Sequence, residues 1–122
     1  MAATLSDAVL DGALNVIKTN GDLLHICSSA PADYAGIAAV ALGSKATPSY
    51  TGPANDTSGR KITIAAITDG TVSATGTASH VAISNGSDTL YAVQALNATQ
   101  GVTSGNTFTL TEFTISIPDP TA

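Results

Sequence analysis

Ser79-His80-Val81-Ala82-Ile83-Ser84 and Thr89-Leu90-Tyr91-Ala92-Val93-Gln94-Ala95-Leu96 stand either side of an Asn85-Gly86 pair. In the first run Val81 and Ile83 fall on one face, and His80 and Ala82 on the other. In the return run Tyr91, Val93 and Ala95 share a face. Side chains of a strand point alternately to opposite sides of the sheet, so a period of two marks a half-buried strand. Asn-Gly between two such runs is the strongest short-range hairpin signal. The stretch predicts an antiparallel hairpin and with it a mainly β fold, an antiparallel β-sandwich or barrel.

The neighbouring segments extend this reading. Downstream, Thr103-Ser104-Gly105-Asn106 reads as a loop and Thr107 to Ile117 as the last strand. The phase of that strand shifts, because Phe108 and Leu110 share one face while Phe113, Ile115 and Ile117 share the other. A β-bulge near Thr111-Glu112 would bury both sets. Pro118 and Pro120 end pairing, which leaves residues 118–122 as an extended tail. Upstream, Arg60 to Ile67 alternates with Ile62, Ile64 and Ala66 on one face, Asp69-Gly70 signals a turn, and Gly70 to Gly76 makes a short Thr/Val strand. Residues 46–61 carry Pro48, Gly52-Pro53, Asn55-Asp56 and Ser58-Gly59, a long surface loop with a short extended piece around Tyr50. Between Ala32 and Lys45 the apolar run Ile37 to Leu42 suits a buried strand or a short helix turn. Leu23 to Ser28 is a short β-type run ended by Ser29-Ala30-Pro31.

One short N-terminal helix is expected over about residues 5–19. Thr4 or Ser6 caps its start, and Asp7 occupies the first turn, where the helix dipole favours an anion. Leu10, Ala13, Leu14 and Ile17 form one face, flanked by Val9 and Val16. Lys18 lies in the last turn, and Asn20-Gly21 supplies a left-handed stop. Gly12 weakens such a helix by about 1 kcal/mol relative to Ala, so it needs packing to persist.

The 122 residues make a single β domain, with its β core at about 22–117. Only 11% of the residues are charged, against about 25% in a typical soluble domain. Thr, Ser, Asn, Gly and Ala cover the surface, and such a surface costs little to desolvate. The net charge is −5, and the basic residues are Lys18, Lys45, Arg60 and Lys61. Nucleic-acid affinity comes largely from basic groups meeting phosphates, so nucleic acid and anionic membrane are poor partners. No run reaches the ~20 apolar residues of a membrane span, and Met1 to Lys18 lacks the basic start of a secretory signal.

No motif builds an active site, and neither a catalytic, a cofactor-binding nor a metal residue is assigned. His25 and Cys27 share a strand face, but a closed zinc site needs four ligands, and His80 is the one other histidine and Cys27 the one cysteine. A Cys/His dyad requires His25 or His80 beside Cys27 in space. Gly101-Val102-Thr103-Ser104-Gly105 looks like a nucleophile elbow with Thr103 at the nucleophile position, yet a strand follows where a helix is needed. Gly43-Ser44-Lys45 lacks phosphate-loop spacing, and Glu112 has no second carboxylate at acid/base spacing. The Asn55, Asn85 and Asn97 glycosylation triplets follow from an Asn/Thr-rich composition. The expectation is a protein that is not an enzyme and takes no cofactor.

The second half resembles a known family. Thr57-Ser58-Gly59-Arg60-Lys61 leads into a strand and then Asp69-Gly70-Thr71-Val72. Gly76-Thr77-Ala78-Ser79-His80-Val81-Ala82-Ile83 follows, then Thr89-Leu90-Tyr91 and Leu96-Asn97-Ala98-Thr99-Gln100. Val102-Thr103-Ser104-Gly105-Asn106-Thr107-Phe108 and Ile115-Ser116-Ile117-Pro118-Asp119-Pro120 close the set. The ordered series resembles the β-sandwich modules of tailed-bacteriophage structural proteins, the capsid decoration (cement) and head-fibre proteins, with Val81 where the family pattern has an aromatic. The resemblance implies a virion protein made in the host cytoplasm and placed on the outer capsid surface. Its partners would be the major capsid protein and itself, as a homotrimer, and it would stabilise contacts between capsid subunits. A tail, spike or fibre component contacting the host is the alternative within the same particle. A carbohydrate-binding sandwich is the alternative outside it, weakened by the absence of Trp, which leaves Tyr34, Tyr50 and Tyr91 to stack on a sugar.

Overall fold

Alternating strands in this chain build two antiparallel sheets over one core. The computed structural model describes residues 5–118, and the expected Thr4 cap and most of the expected tail lie outside them. In chain order the elements are α1 (Asp7–Asn20), β1 (Leu23–Cys27), α2 (Tyr34–Val40), β2 (Ala41–Ala46), β3 (Tyr50–Asn55), β4 (Arg60–Ile64), β5 (Ile67–Val72), β6 (Gly76–Ser84), β7 (Leu90–Val102), β8 (Thr107–Leu110) and β9 (Phe113–Ile117). One sheet has six strands in the order β7-β6-β1-β2-β5-β8, and the other has three in the order β3-β4-β9. The larger sheet curls into a half-barrel, so the mainly β sandwich-or-barrel class holds.

Two strand pairs pass from one sheet to the other. β4 pairs with β9 in the small sheet, and their continuations β5 and β8 pair in the large one. The crossings fall at Ala65-Ala66 and at Thr111-Glu112. Strands that change sheets at a bend are a standard way to turn a sandwich corner. This corrects three expectations. Arg60 to Ile67 is not one strand: the inward phase moves from Ile64 to Ile67, and Ala66 is exposed. Thr107 to Ile117 is two strands, so Phe108 and Leu110 face inward from one sheet while Phe113, Ile115 and Ile117 pack against the core from the other. Asp69-Gly70 lies inside β5 and makes no turn. Gly70 is opposite Phe108 in the ladder, and a Cβ on Gly70 would collide with the Phe108 ring. The glycine is there to let an aromatic lie across the strand.

The Asn85-Gly86 hairpin forms, with a loop over 85–89 instead of a two-residue turn. Asn85 Oδ1 accepts from the N–H groups of Ser87, Asp88 and Thr89, at 2.9, 2.9 and 3.0 Å, and Gly86 takes a φ of +76°. Asn side chains nucleate turns in this way by imitating a backbone carbonyl. The return strand runs on to Val102, past the expected end at Leu96. In the 46–61 segment the extended piece expected around Tyr50 is the start of a longer strand, β3, which runs to Asn55 and pairs with β4. Ile37 to Leu42 divides between the two readings: α2 takes residues up to Val40, and β2 begins at Ala41. Asp33 caps α2, its Oδ1 accepting from Gly36 N–H at 2.8 Å.

Leu24 and Ile26 of β1, Val81 and Ile83 of β6, Ile62 and Ile64 of β4, and Phe108 of β8 join one buried cluster. α1 brings Leu14 into it and packs along β3, β4 and β9. Ser6 caps the helix, its Oγ accepting from Val9 N–H, Asp7 stands in the first turn and Lys18 in the last. Gly21 ends the helix at φ −77°, not in the left-handed region. It is a glycine for lack of space, since a Cβ would stand 2.5 Å from Ile17 O, 2.7 Å from the Tyr50 hydroxyl and 2.8 Å from Ile83. Ala13, expected on the inner face with Leu10 and Leu14, is exposed.

Candidate functional site

Strand register places the residues singled out by sequence. Cys27 of β1 is the ladder partner of His80 of β6, and His25 is the partner of Ala82. All four therefore stand on the sheet face opposite Leu24, Ile26, Val81 and Ile83. α2 lies on that outer side, where Tyr34, Ile37 and Ala38 form a hollow with His25. The geometry thus brings a cysteine and a histidine together.

The chemistry of these groups is quiet. Cys27 is fully buried, and burial pushes its thiol up to about 11. A nucleophilic cysteine requires a depressed pKa in an electropositive, accessible setting. No hydrogen bond joins Cys27 to His80 among the described residues. His80 Nδ1 lies 2.8 Å from Ser79 Oγ, and that hydroxyl donates to Ser28 O at 2.8 Å. Because the one serine proton goes to Ser28, Nδ1–H of His80 is the donor to Ser79, a tautomer assigned from the hydrogen-bond network. His25 Nε2 lies 3.2 Å from the buried Ser84 Oγ, which also accepts from Gly86 N–H at 3.1 Å. Burial lowers the His25 pKa below its ordinary value. These contacts join β1, β6 and the 85–89 loop.

The remaining candidates are dispersed. Thr103 lies in the turn before β8, and Gly43-Ser44-Lys45 lies within β2. Glu112 sits at the β8–β9 crossing. Among the described residues no three His, Cys, Asp or Glu side chains are grouped to hold a metal ion. No described helix is long and apolar enough to cross a membrane.

Three of the four cations are used within the fold. Arg60 Nε donates to Asp11 Oδ1 at 2.7 Å and Nη2 to Asp11 Oδ2 at 3.2 Å, tying β4 to α1. The Asp11 hydrogen bond, with the charges of Asp11 and Asp7, holds the Arg60 pKa above its ordinary value. Lys18 Nζ donates to Gly52 O at 2.7 Å, and Lys45 pairs with Asp69 at 3.0 Å.

The feature that sequence reading missed is the outer face of α1. Leu5, just before the helix, with Val9 and Val16 is 45%, 56% and 46% exposed, and Ala8, Gly12, Ala13, Asn15 and Thr19 are exposed beside them. None of these residues is charged. The helix's charges serve the other side: Asp11 and Lys18 bond to the small sheet, and Asp7 acts on Arg60. A surface helix normally sets charged residues opposite its buried face. Here Asp7 and Lys18 are exposed to the side of that position, Asp11 is half-buried against the small sheet, and the position itself is uncharged. Positions 5, 9, 12 and 16 carry the signal, because they follow helical spacing on the side opposite Leu10 and Leu14.

No family model matches the chain, and neither a curated protein nor a solved structure matches it.

Proposed function

We propose that this protein is a structural subunit of a tailed-bacteriophage particle, a capsid decoration protein that binds the outer surface of the head as a homotrimer and stabilises contacts between major capsid subunits. The observation that carries an adhesive role is the uncharged outer face of α1. Apolar area covered on association contributes about 25 cal/mol per Å², and Leu5, Val9 and Val16 present such area with no charge to desolvate. Helix α1 is also braced from within by Arg60–Asp11 and Lys18–Gly52, so the face is held rigid before any partner arrives. Preorganisation of this kind lowers the ordering cost of binding. The ordered resemblance from Thr57 to Pro120 supplies the particle.

Imaging purified particles with a labelled copy of the chain tests the reading. Hundreds of copies on the head exterior is the expected result. Complete absence from the head would overturn it, and a handful of copies at the tail would shift the assignment to a spike or fibre component.

A further inference from the structure

β7 and β8 are the two free edges of the six-stranded sheet, and the curl of the sheet brings them towards each other. A side chain bridges them: Gln100 Nε2 of β7 donates to Thr109 O of β8 at 3.1 Å. Beside this bridge lies a cavity of about 220 Å³. Val81, Leu96, Leu110 and Phe113 give it an apolar floor, Gln94 and Gln100 add carboxamides, and none of its lining side chains ionises. That volume is below the roughly 300–1,000 Å³ of pockets that hold small-molecule ligands, so it suits one or two side chains of a larger partner.

Three further observations define the occupant. β7 is 13 residues long and carries neither a charge nor a proline, and β8 carries neither as well. Natural edge strands are commonly guarded by Lys, Pro, inward charges, bulges or shortness against pairing with another chain. These two lack the charges and prolines, and β7 is long. In the ladder with β6, Ala78 pairs with Gln100 and His80 with Ala95, so Ser79 stands against residues 96–99. The surplus residues bow β7 away from β6 beside the cavity. Finally, Gln100 Oε1 is buried with no hydrogen-bond partner. An unpaired buried acceptor costs about 1–3 kcal/mol, and an incoming N–H would satisfy it.

We propose that the gap between β7 and β8 is an acceptor site for one extended, uncharged segment of a partner polypeptide, which adds to the sheet edge by main-chain hydrogen bonds, gives an N–H to Gln100 Oε1 and seats an apolar side chain among Val81, Leu96, Leu110 and Phe113. Strand addition draws affinity from the backbone and specificity from alternate side-chain pockets. A folded second copy presenting its own β7 would meet the edge from outside and leave the cavity empty. The site does not depend on the particle proposed above: it is tested on the isolated chain, and its failure would leave the particle assignment standing.

The test titrates isotope-labelled full-length protein with capped seven-residue peptides in which Thr alternates with Val, Leu or Phe. The expected result is saturable binding of at least one peptide, with NMR shift changes confined to residues 94–100 and 109–113. The same peptide with alternate amides N-methylated should bind at least tenfold more weakly. Ala98→Arg, at an exposed position on the rim, should weaken binding by a similar factor with an unchanged melting temperature. Four outcomes would overturn the proposal: no saturable binding by any peptide, equal binding of the N-methylated peptide, shift changes centred on α1, or concentration-dependent dimerisation of the wild type that Ala98→Arg abolishes.

Discussion

Single side chains here act over long sequence distances, and their effects follow from what each one touches. Tyr50 on β3 donates to Gly21 O at 2.8 Å and so fastens the end of α1 to the small sheet. Tyr50→Phe leaves that carbonyl unpaired and should cost about 1 kcal/mol in urea unfolding. Burial and the nearby Asp22 charge push the Tyr50 hydroxyl up to about 12. Its unfolded pKa is about 10, so the unfolded chain ionises first, and stability should fall as pH rises from about 10 towards 12. His25 acts at the other end of the scale. Its folded pKa lies below the ordinary value, so the unfolded state takes up a proton first as pH falls through about 6.5 and stability declines there. Equilibrium unfolding across pH reads both arms, and His25→Gln should flatten the acid one. Gly70 is a third case. Gly70→Ala should destabilise by about 1–3 kcal/mol through collision with Phe108. Phe108→Leu in the same chain should recover part of that loss, a coupling that a double-mutant cycle measures.

At the scale of elements, local patterns were legible and the exchange between sheets was not. The phase of β6 was readable because Val81 and Ile83 alternate and face inward, whereas in β7 the face of Tyr91 and Val93 lies outward, opposite Ala82, and Ala92 and Leu96 pack against the core instead. A period of two says which side chains share a face, but it does not say which sheet they belong to. Arg60 to Ile67 therefore read as one unbroken strand, and Thr107 to Ile117 as one strand with a phase shift, where the chain in fact changes partners. Asp69-Gly70 looked like a turn because the residue that demands the glycine, Phe108, lies far along the chain. The start of β3 at Tyr50 was legible but its length was not, because Gly52-Pro53 breaks the strand pattern and sits at a register shift. Val9 and Val16 were taken as borders of the inner helix face, while the structure turns them outward. The brace that holds the helix is testable at this scale. Arg60→Ala should lower the melting temperature, more at low salt than at high salt, because it removes the ion pair and hydrogen bonds from Asp11 to β4.

The whole molecule combines few charges, an inert buried thiol and apolar residues turned to solvent on a rigid helix. Under the proposed function the exposed apolar residues would be covered by a neighbouring subunit. The adhesive reading makes α1 the face that matters, and exposed substitutions there should leave the fold intact. Val9→Glu with Val16→Glu changes two exposed helix positions, where stability effects usually stay within about 0.5 kcal/mol. The direct measurement is co-sedimentation of the purified chain with phage heads stripped of it. Wild-type protein should pellet with the heads, and the doubly substituted protein should stay in the supernatant while melting at an unchanged temperature. Equal pelleting of the two proteins, or no pelleting of the wild type, would contradict the account.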